Sequence, residues 1–159
     1  MIRLLETPEE KTTIGIRDRA LLEVDYSGLR ARELLNLTTQ DVGLEENRIF
    51  IRQGKGDKDR VVPMTSAARY WLSRWLRRRQ EFLPKKDSDR LFLTKRGHSL
   101  TRRHFAKLLE HYVRQVQLPV ALSPHDLRRT TATHLAAHGA PIRLIQALLG
   151  HESMKVTTK

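Results

Sequence analysis

The chain has no cysteine among its 159 residues. That excludes disulfides, a zinc ribbon and a thiol nucleophile, and it suits a reducing compartment. No apolar run reaches membrane-spanning length, and the N-terminus, MIRLLETPEEK, carries no signal-peptide pattern. A soluble, cytoplasmic protein without a membrane partner is expected. Internal repeats and low-complexity linkers are absent. Also missing are an HExxH pair and a Walker loop: Gly54-Lys55-Gly56 lies in a hairpin, not between a strand and a helix. His134 and His138 are four apart but have no third ligand near them, and His98, His104 and His111 form no ligand group, so no metal and no cofactor are expected. Acidic residues are few against basic ones, 18 against 30, for a net charge of +12. An excess of that size points to a polyanion partner, of which nucleic acid is the usual one. The length is enough for one domain with a real core. Hydrophobic residues at 39% and charged residues at 30% describe a folded domain with a heavily solvated surface.

What is present is mostly helical. Thr7-Pro8-Glu9-Glu10 offers a helix start. RDRALLEVDYSG reads as a helix with Ala20, Leu21, Leu22 and Val24 on its apolar face and Gly28 as its stop, and a shorter helix follows from Leu29 to Leu37. Arg48 to Arg52 alternates and is rich in β-branched residues, Val61-Val62 resembles a partner strand, and the glycines and aspartates of Gln53–Arg60 make the turn of a β-hairpin, with Val42 to Leu44 as a third short strand. From Thr65 to Phe82 the pattern is helical again, with Tyr70, Trp71, Leu72, Trp75 and Leu76 at apolar positions and Pro84 as terminator. A further helix is capped near Thr101. The expected class is α+β, mainly α-helical with one small antiparallel three-stranded sheet, as a single domain over 1–159.

The stretch from Leu122 to His151 is the most informative. Ser123 is a good N-cap, Pro124 suits the first helical position, and Asp126 completes a capping box. His125 and Arg128, three apart, share a face beside the free N–H groups of a helix start, which favour an anion. Gly139 ends this helix, Pro141 opens another, and Gly150 ends that one immediately before His151. Four places thus set a cation or an imidazole beside a structural stop: Arg30 after Gly28, Lys55 between two glycines, His125 with Arg128, and His151 after Gly150. Each has a plainer explanation. Arg30 could pair with Glu33 or Glu23, Lys55 could be a solvated turn residue, His125 a local hydrogen-bonder and His151 a C-cap. The set, its order and its spacing favour a phosphate site.

That set resembles the tyrosine recombinase family, also called phage integrases, and its Xer-like branch. Gly28-Leu29-Arg30-Ala31-Arg32-Glu33-Leu34 looks like the first box of the family, Gly54 to Pro63 like its hairpin lysine motif, Ser123 to Arg129 like its H-x-x-R box, and Leu148-Leu149-Gly150-His151 like its L-G-H box. The resemblance runs from about Ile16 to Lys159. It implies the DNA breaking-rejoining catalytic-domain fold and a strand transfer needing neither metal nor ATP. A tyrosine attacks a backbone phosphate, forms a 3′-phosphotyrosine and releases a 5′-hydroxyl; a partner strand then reverses the step, giving site-specific recombination or integration. Arg30 and Arg128 would clamp the phosphate oxygens, Lys55 would be the general acid, His125 would assist proton transfer or orient the phosphate, and His151 would donate a further hydrogen bond. Glu33 would hold a neighbouring guanidinium or imidazole.

The tyrosine of the family stands nine positions after the L-G-H histidine, which here is position 160, one past Lys159. Tyr26 precedes the first box, and Tyr70 and Tyr112 read as core or groove-lining residues. The expectation is a catalytic domain truncated before its nucleophile and lacking the N-terminal core-binding domain, able to bind double-stranded DNA but not to cleave it. The intact protein would act as a homo-tetramer on DNA and this fragment would be a monomer, of prokaryotic or phage origin. Arg32, Arg74, Arg77, Arg78, Arg79, Arg102 and Arg103 are the candidates for backbone contacts. Two rival readings are a type IB topoisomerase-like enzyme and a non-catalytic DNA-binding module.

Overall fold

The computed structural model describes residues 2–52, 59–82 and 88–150. Among these residues, seven helices and three short strands follow in order: α1 (Ile2–Leu5), α2 (Thr13–Asp25), α3 (Ala31–Asn36), β1 (Val42–Gly43), β2 (Arg48–Ile51), β3 (Arg60–Pro63), α4 (Ser66–Arg78), α5 (Arg102–Gln115), α6 (Pro124–Ala137) and α7 (Ile142–Leu149). Short 3-10 turns at Thr39–Asp41 and Arg79–Phe82 join the elements. The expected class is observed: mainly helical, with one antiparallel sheet in the order β1-β2-β3. Arg48 faces Pro63 and Ile51 faces Arg60 across β2 and β3, as expected of the hairpin. Its tip, which carries Lys55, lies outside the described residues.

α2 is the centre of the molecule. It touches α1, α3, α4, α6 and the 79–82 turn, so it is buried all round rather than along one face. Four of its charged side chains are paired inside. Arg17 binds Asp18 at 2.6 Å and Arg19 binds Glu23 at 3.0 Å, and the Tyr112 hydroxyl of α5 donates to Asp18 at 2.6 Å. Burial pushes the Asp18 and Glu23 carboxyls up against the pull of these arginines. The same burial, with Asp18 beside it, pushes the Tyr112 phenol up. α2 starts at Thr12, whose hydroxyl accepts from Gly15 N at 3.0 Å. The start expected at Thr7–Glu10 is not used: α1 precedes it, and the Thr12 cap places the first turn after Lys11.

α4 packs along α2. Thr65 caps it, accepting from Ala68 N at 3.0 Å. Trp75 is fully buried and donates its indole N–H to Leu91 O at 2.8 Å. This ties α4 to the 90–93 strip, and truncating such a side chain costs about 3–5 kcal/mol. Trp71 lies under two guanidiniums, Arg19 and Arg74, each 4.9 Å from its ring. Tyr70 corrects the expectation: it is exposed and meets Trp71 edge-on. Thr101, Ser123 and Pro141 open α5, α6 and α7. The Ser123 box is complete, with Ser123 N donating to Asp126 Oδ2 at 2.8 Å and Asp126 N to Ser123 Oγ at 3.2 Å. No helix among the described residues is long and apolar enough to cross a membrane.

Candidate active site

The site forms where α7 ends. Gly150 takes a left-handed conformation, φ 67°, and stops the helix. The last carbonyls of a helix have no partner within it and form the negative end of its dipole. Here three of them are capped by three arginines from three distant segments. Arg60 Nε donates to Leu148 O at 3.2 Å, Arg128 Nη2 donates to Leu149 O, and Arg30 Nη2 donates to Gly150 O at 3.0 Å. A Cβ on Gly150 would stand 3.1 Å from both Arg30 Nη1 and Arg60 Cζ. The glycine is therefore needed for its backbone angle and for the approach of the guanidiniums.

Gly28 closes the arrangement from the other side. Its φ is 97°, its carbonyl accepts from Arg128 Nε at 3.1 Å, and a Cβ there would meet Leu149 Cδ2 at 2.8 Å. The first box and the end of α7 thus lie against each other with no room for a side chain between them.

Glu33 sits among the arginines, and its carboxylate accepts four hydrogen bonds. Oε1 takes Arg30 Nη1 at 3.1 Å and Arg60 Nη1 at 2.6 Å; Oε2 takes Arg60 Nη2 at 2.8 Å and the Arg30 backbone N–H at 2.8 Å. Burial alone would raise the carboxyl pKa, but the Arg60 bonds, the Arg30 amide and the two positive charges outweigh it and hold it below the usual range. Arg128 is buried, and its pKa is pushed down to about 10, first by burial and then by repulsion from Arg30 and Arg60, against the pull of Glu33 and Asp25. It remains a cation at neutral pH. Asp25, the last residue of α2, is completely buried, and among the described residues neither of its carboxylate oxygens has a hydrogen-bond partner. Burial holds its pKa well above the usual range, against the pull of Arg128.

Of the five expected catalytic residues, Arg30 and Arg128 come together here, with Glu33 beside Arg30. His125 is exposed at the second position of α6, one turn before Arg128. Lys55 and His151 lie outside the described residues. Arg32 and Arg102 are exposed and line one groove of about 490 Å³ between α3 and α5, with Leu35, Asn36, Leu100 and Thr101. Arg77 and Arg103 are exposed. Arg74 donates to Glu10 O, and Arg78 donates to Glu81 and Lys11 O, so both brace the segment before α2. Arg79 is a correction: it is buried, and its guanidinium holds the carbonyls of Ser88, Arg90 and Leu91. A group so engaged is not available to a phosphate.

Two residues escaped sequence reasoning. Arg60 looked like the end of a turn, and the only hint was its place at the start of a strand just after the Gly-Lys-Gly motif. Asp25 gave a fainter signal, a lone acid between Val24 and Tyr26.

A mainly helical domain that gathers two arginines of separate boxes around a glycine-ended helix has the layout of a tyrosine recombinase catalytic domain. The chain belongs to the phage integrase family, whose description it matches over residues 1–159, and it is Xer-like. It is similar to the tyrosine recombinase XerD of Ralstonia nicotianae, 43% identical over 156 residues, covering 97% of this chain and 51% of that protein. It is also similar to XerC of Chlamydia caviae, 40% identical over 156 residues, covering 98% of this chain and 50% of that protein. The chain therefore spans about half the length of the curated relatives it matches. Among solved structures it superposes on XerA recombinase with a TM-score of 0.88 at 32% identity, covering 98% of this chain and 55% of that one. It superposes on XerH recombinase bound to its difH substrate, in a pre-cleavage complex, with a TM-score of 0.83 at 30% identity, covering 98% of this chain and 46% of that one.

Proposed function

We propose that this chain is the phosphate-binding part of a site-specific DNA recombinase, with Arg30 and Arg128 as the clamp on the scissile phosphate. One observation carries the reading. Two guanidiniums from boxes a hundred residues apart in sequence converge on the end of one helix. Each arginine has five N–H donors, and among the described residues each uses two in the contacts above. The donors that remain suit the non-bridging oxygens of a phosphate, where charge gathers as the attacking oxygen adds.

In this reading a tyrosine oxygen forms a bond to phosphorus as the bond to the 5′-oxygen breaks. His125 takes the tyrosine proton or orients the phosphate. Lys55 gives a proton to the departing 5′-oxygen, and His151 donates to a phosphate oxygen. Glu33 fixes Arg30. None of the tyrosines in the chain suits the nucleophile: Tyr112 is buried on Asp18, Tyr26 contacts His134, and Tyr70 stands on α4. The nucleophile is assigned to the ninth position after His151. The 159-residue chain then binds duplex DNA without forming a covalent adduct.

The test uses nicked duplexes randomised around the nick, in the presence of EDTA. The 159-residue chain is expected to give no covalent band, and a version extended through a tyrosine at position 160 is expected to give one. In the extended version, Arg30→Ala and Arg128→Ala should each slow adduct formation by about 10²–10³, the loss typical of one oxyanion donor. An adduct formed by the 159-residue chain itself, or no effect of either alanine, defeats the reading.

A further inference from the structure

We propose that Arg60 is a positioning residue of this site, which keeps Arg30 open to a phosphate by occupying the face of Glu33 that Arg30 would otherwise take. The proposal rests on the assignment of Arg30 to phosphate binding.

The geometry separates the two arginines by how they are used. Arg60 has all three of its nitrogens engaged: Nη1 and Nη2 lie on the two oxygens of Glu33, and Nε lies on Leu148 O. Its planar fork matches the carboxylate, the geometry in which an arginine–carboxylate pair is strongest. Arg30 meets Glu33 through one side-chain nitrogen only, at 3.1 Å, and uses its backbone N–H for the other oxygen. A carboxylate offers about four acceptor positions. Arg60 and Arg30 together make four bonds to Glu33, so the carboxylate is filled and Arg30 cannot turn its fork onto it. Without Arg60, two of those positions open. Arg30 then closes on Glu33 as a two-bond pair and withdraws the donors that face a phosphate.

Arg60 also has a mechanical reach that Glu33 alone lacks. It is the first residue of β3, at the base of the hairpin, and it pairs with Ile51 across the sheet. Its Nε holds the end of α7. One side chain therefore joins the hairpin, α3 and α7, three of the elements that meet at the cluster. The crowding is tight: a Cβ on Gly150 would lie 3.2 Å from Arg60 Nε.

The experiment is a titration of the 159-residue chain with inorganic phosphate, read on the side-chain Nε–Hε NMR signals of Arg30 and Arg128. The signals of the buried Arg17 and Arg79 serve as fold controls. Arg60→Gln is expected to weaken phosphate binding at the Arg30 signal about tenfold while Arg17 and Arg79 keep their positions. Arg60→Lys keeps the charge but cannot form the fork, and is expected to stay closer to Arg60→Gln than to the wild type. Because the effect runs through the carboxylate, the double variant Arg60→Gln/Glu33→Gln should be no weaker than the weaker of its two single variants. Phosphate affinity within twofold of the wild type in Arg60→Gln overturns the proposal, as does full recovery in Arg60→Lys or additive losses in the double variant. If Arg60→Gln loses the Arg17 and Arg79 positions, Arg60→Lys decides alone: native affinity in it overturns the proposal, and a tenfold loss with both controls in place supports it. If phosphate moves neither Arg30 nor Arg128 in the wild type, the phosphate-site assignment itself fails.

Discussion

Asp25 is the residue whose placement is hardest to reconcile with stability alone. Its carboxylate is fully enclosed and, among the described residues, lacks a hydrogen-bond partner and has the nearby charge of Arg128 to oppose its desolvation. Burying an unpartnered polar group costs about 1–3 kcal/mol on mutational scales. The direction of its shift says that burial wins over Arg128. A carboxyl whose pKa is raised by folding binds more protons in the folded state than in the unfolded one. Stability is therefore lost as pH rises from the unfolded value, near 3.9, through the folded one. Asp25→Asn removes that titration. It is expected to raise Tm at pH 8 by about 2–4 °C, the shift that about 1 kcal/mol produces in a chain of this size. The gain should shrink toward zero as the pH falls to about 4. Melting curves of both proteins across that range check it; a variant less stable than the wild type at pH 8 would mean that the charge on Asp25 is worth more to Arg128 than its burial costs. The sequence gives this residue only a faint signal, a lone acid between Val24 and Tyr26. An acid in an otherwise apolar helix face is ordinarily assigned to solvent, and only the packing of α2 on all sides puts it inside.

The ends of helices were the most legible elements, because capping chemistry is local. Thr65, Thr101 and Ser123 open their helices as expected, and Gly150 closes α7. Arg30, Glu33 and Arg128, which the boxes single out, lie near one another at the end of α7. What was not legible is the fate of side chains decided by long-range packing. Arg77, Arg78 and Arg79 are consecutive arginines, alike on paper. The helix stops at Arg78, and the 3-10 turn that follows carries Arg79 inward onto the 88–91 carbonyls. The Arg60–Glu33 pair spans 27 residues and no local pattern encodes it. Two glycines separate these levels experimentally. Gly139 and Gly150 both have positive φ, 79° and 67°, but a Cβ on Gly139 meets nothing within 4 Å, whereas one on Gly150 enters the arginine cluster. Alanine at either position is expected to cost about 1–2 kcal/mol for the left-handed backbone. Only Gly150→Ala should also shift the Arg30 signal and weaken its response to inorganic phosphate. An equal phosphate response in both variants would separate the α7 end from the phosphate site.

For the whole molecule the question is where a charge of +12 goes. Part of it is internal: Arg17, Arg19 and Arg79 are buried and hold carboxylates or carbonyls, so they add to the field of the protein without touching a partner. The arginines free to meet a polyanion are narrower in number and in place. Arg32 and Arg102, which line the groove between α3 and α5, are two that packing leaves at the surface. If six phosphate contacts form in all, affinity for duplex DNA should fall by about three orders of magnitude between 50 and 200 mM salt. Arg32→Ala and Arg102→Ala should each lower the slope of log affinity against log salt by about 1, with little change in the ranking of different DNA sequences. Arg79→Gln should behave in the opposite way. It removes the Arg79 donor from the Ser88, Arg90 and Leu91 carbonyls, of which Leu91 keeps the Trp75 indole N–H, so it should lower Tm and leave the slope as it was. Fluorescence anisotropy at four salt concentrations distinguishes these outcomes. Slopes unchanged in both groove variants would move the DNA off this face, whereas a reduced slope in Arg79→Gln at full stability would show that the buried arginine reaches DNA after all.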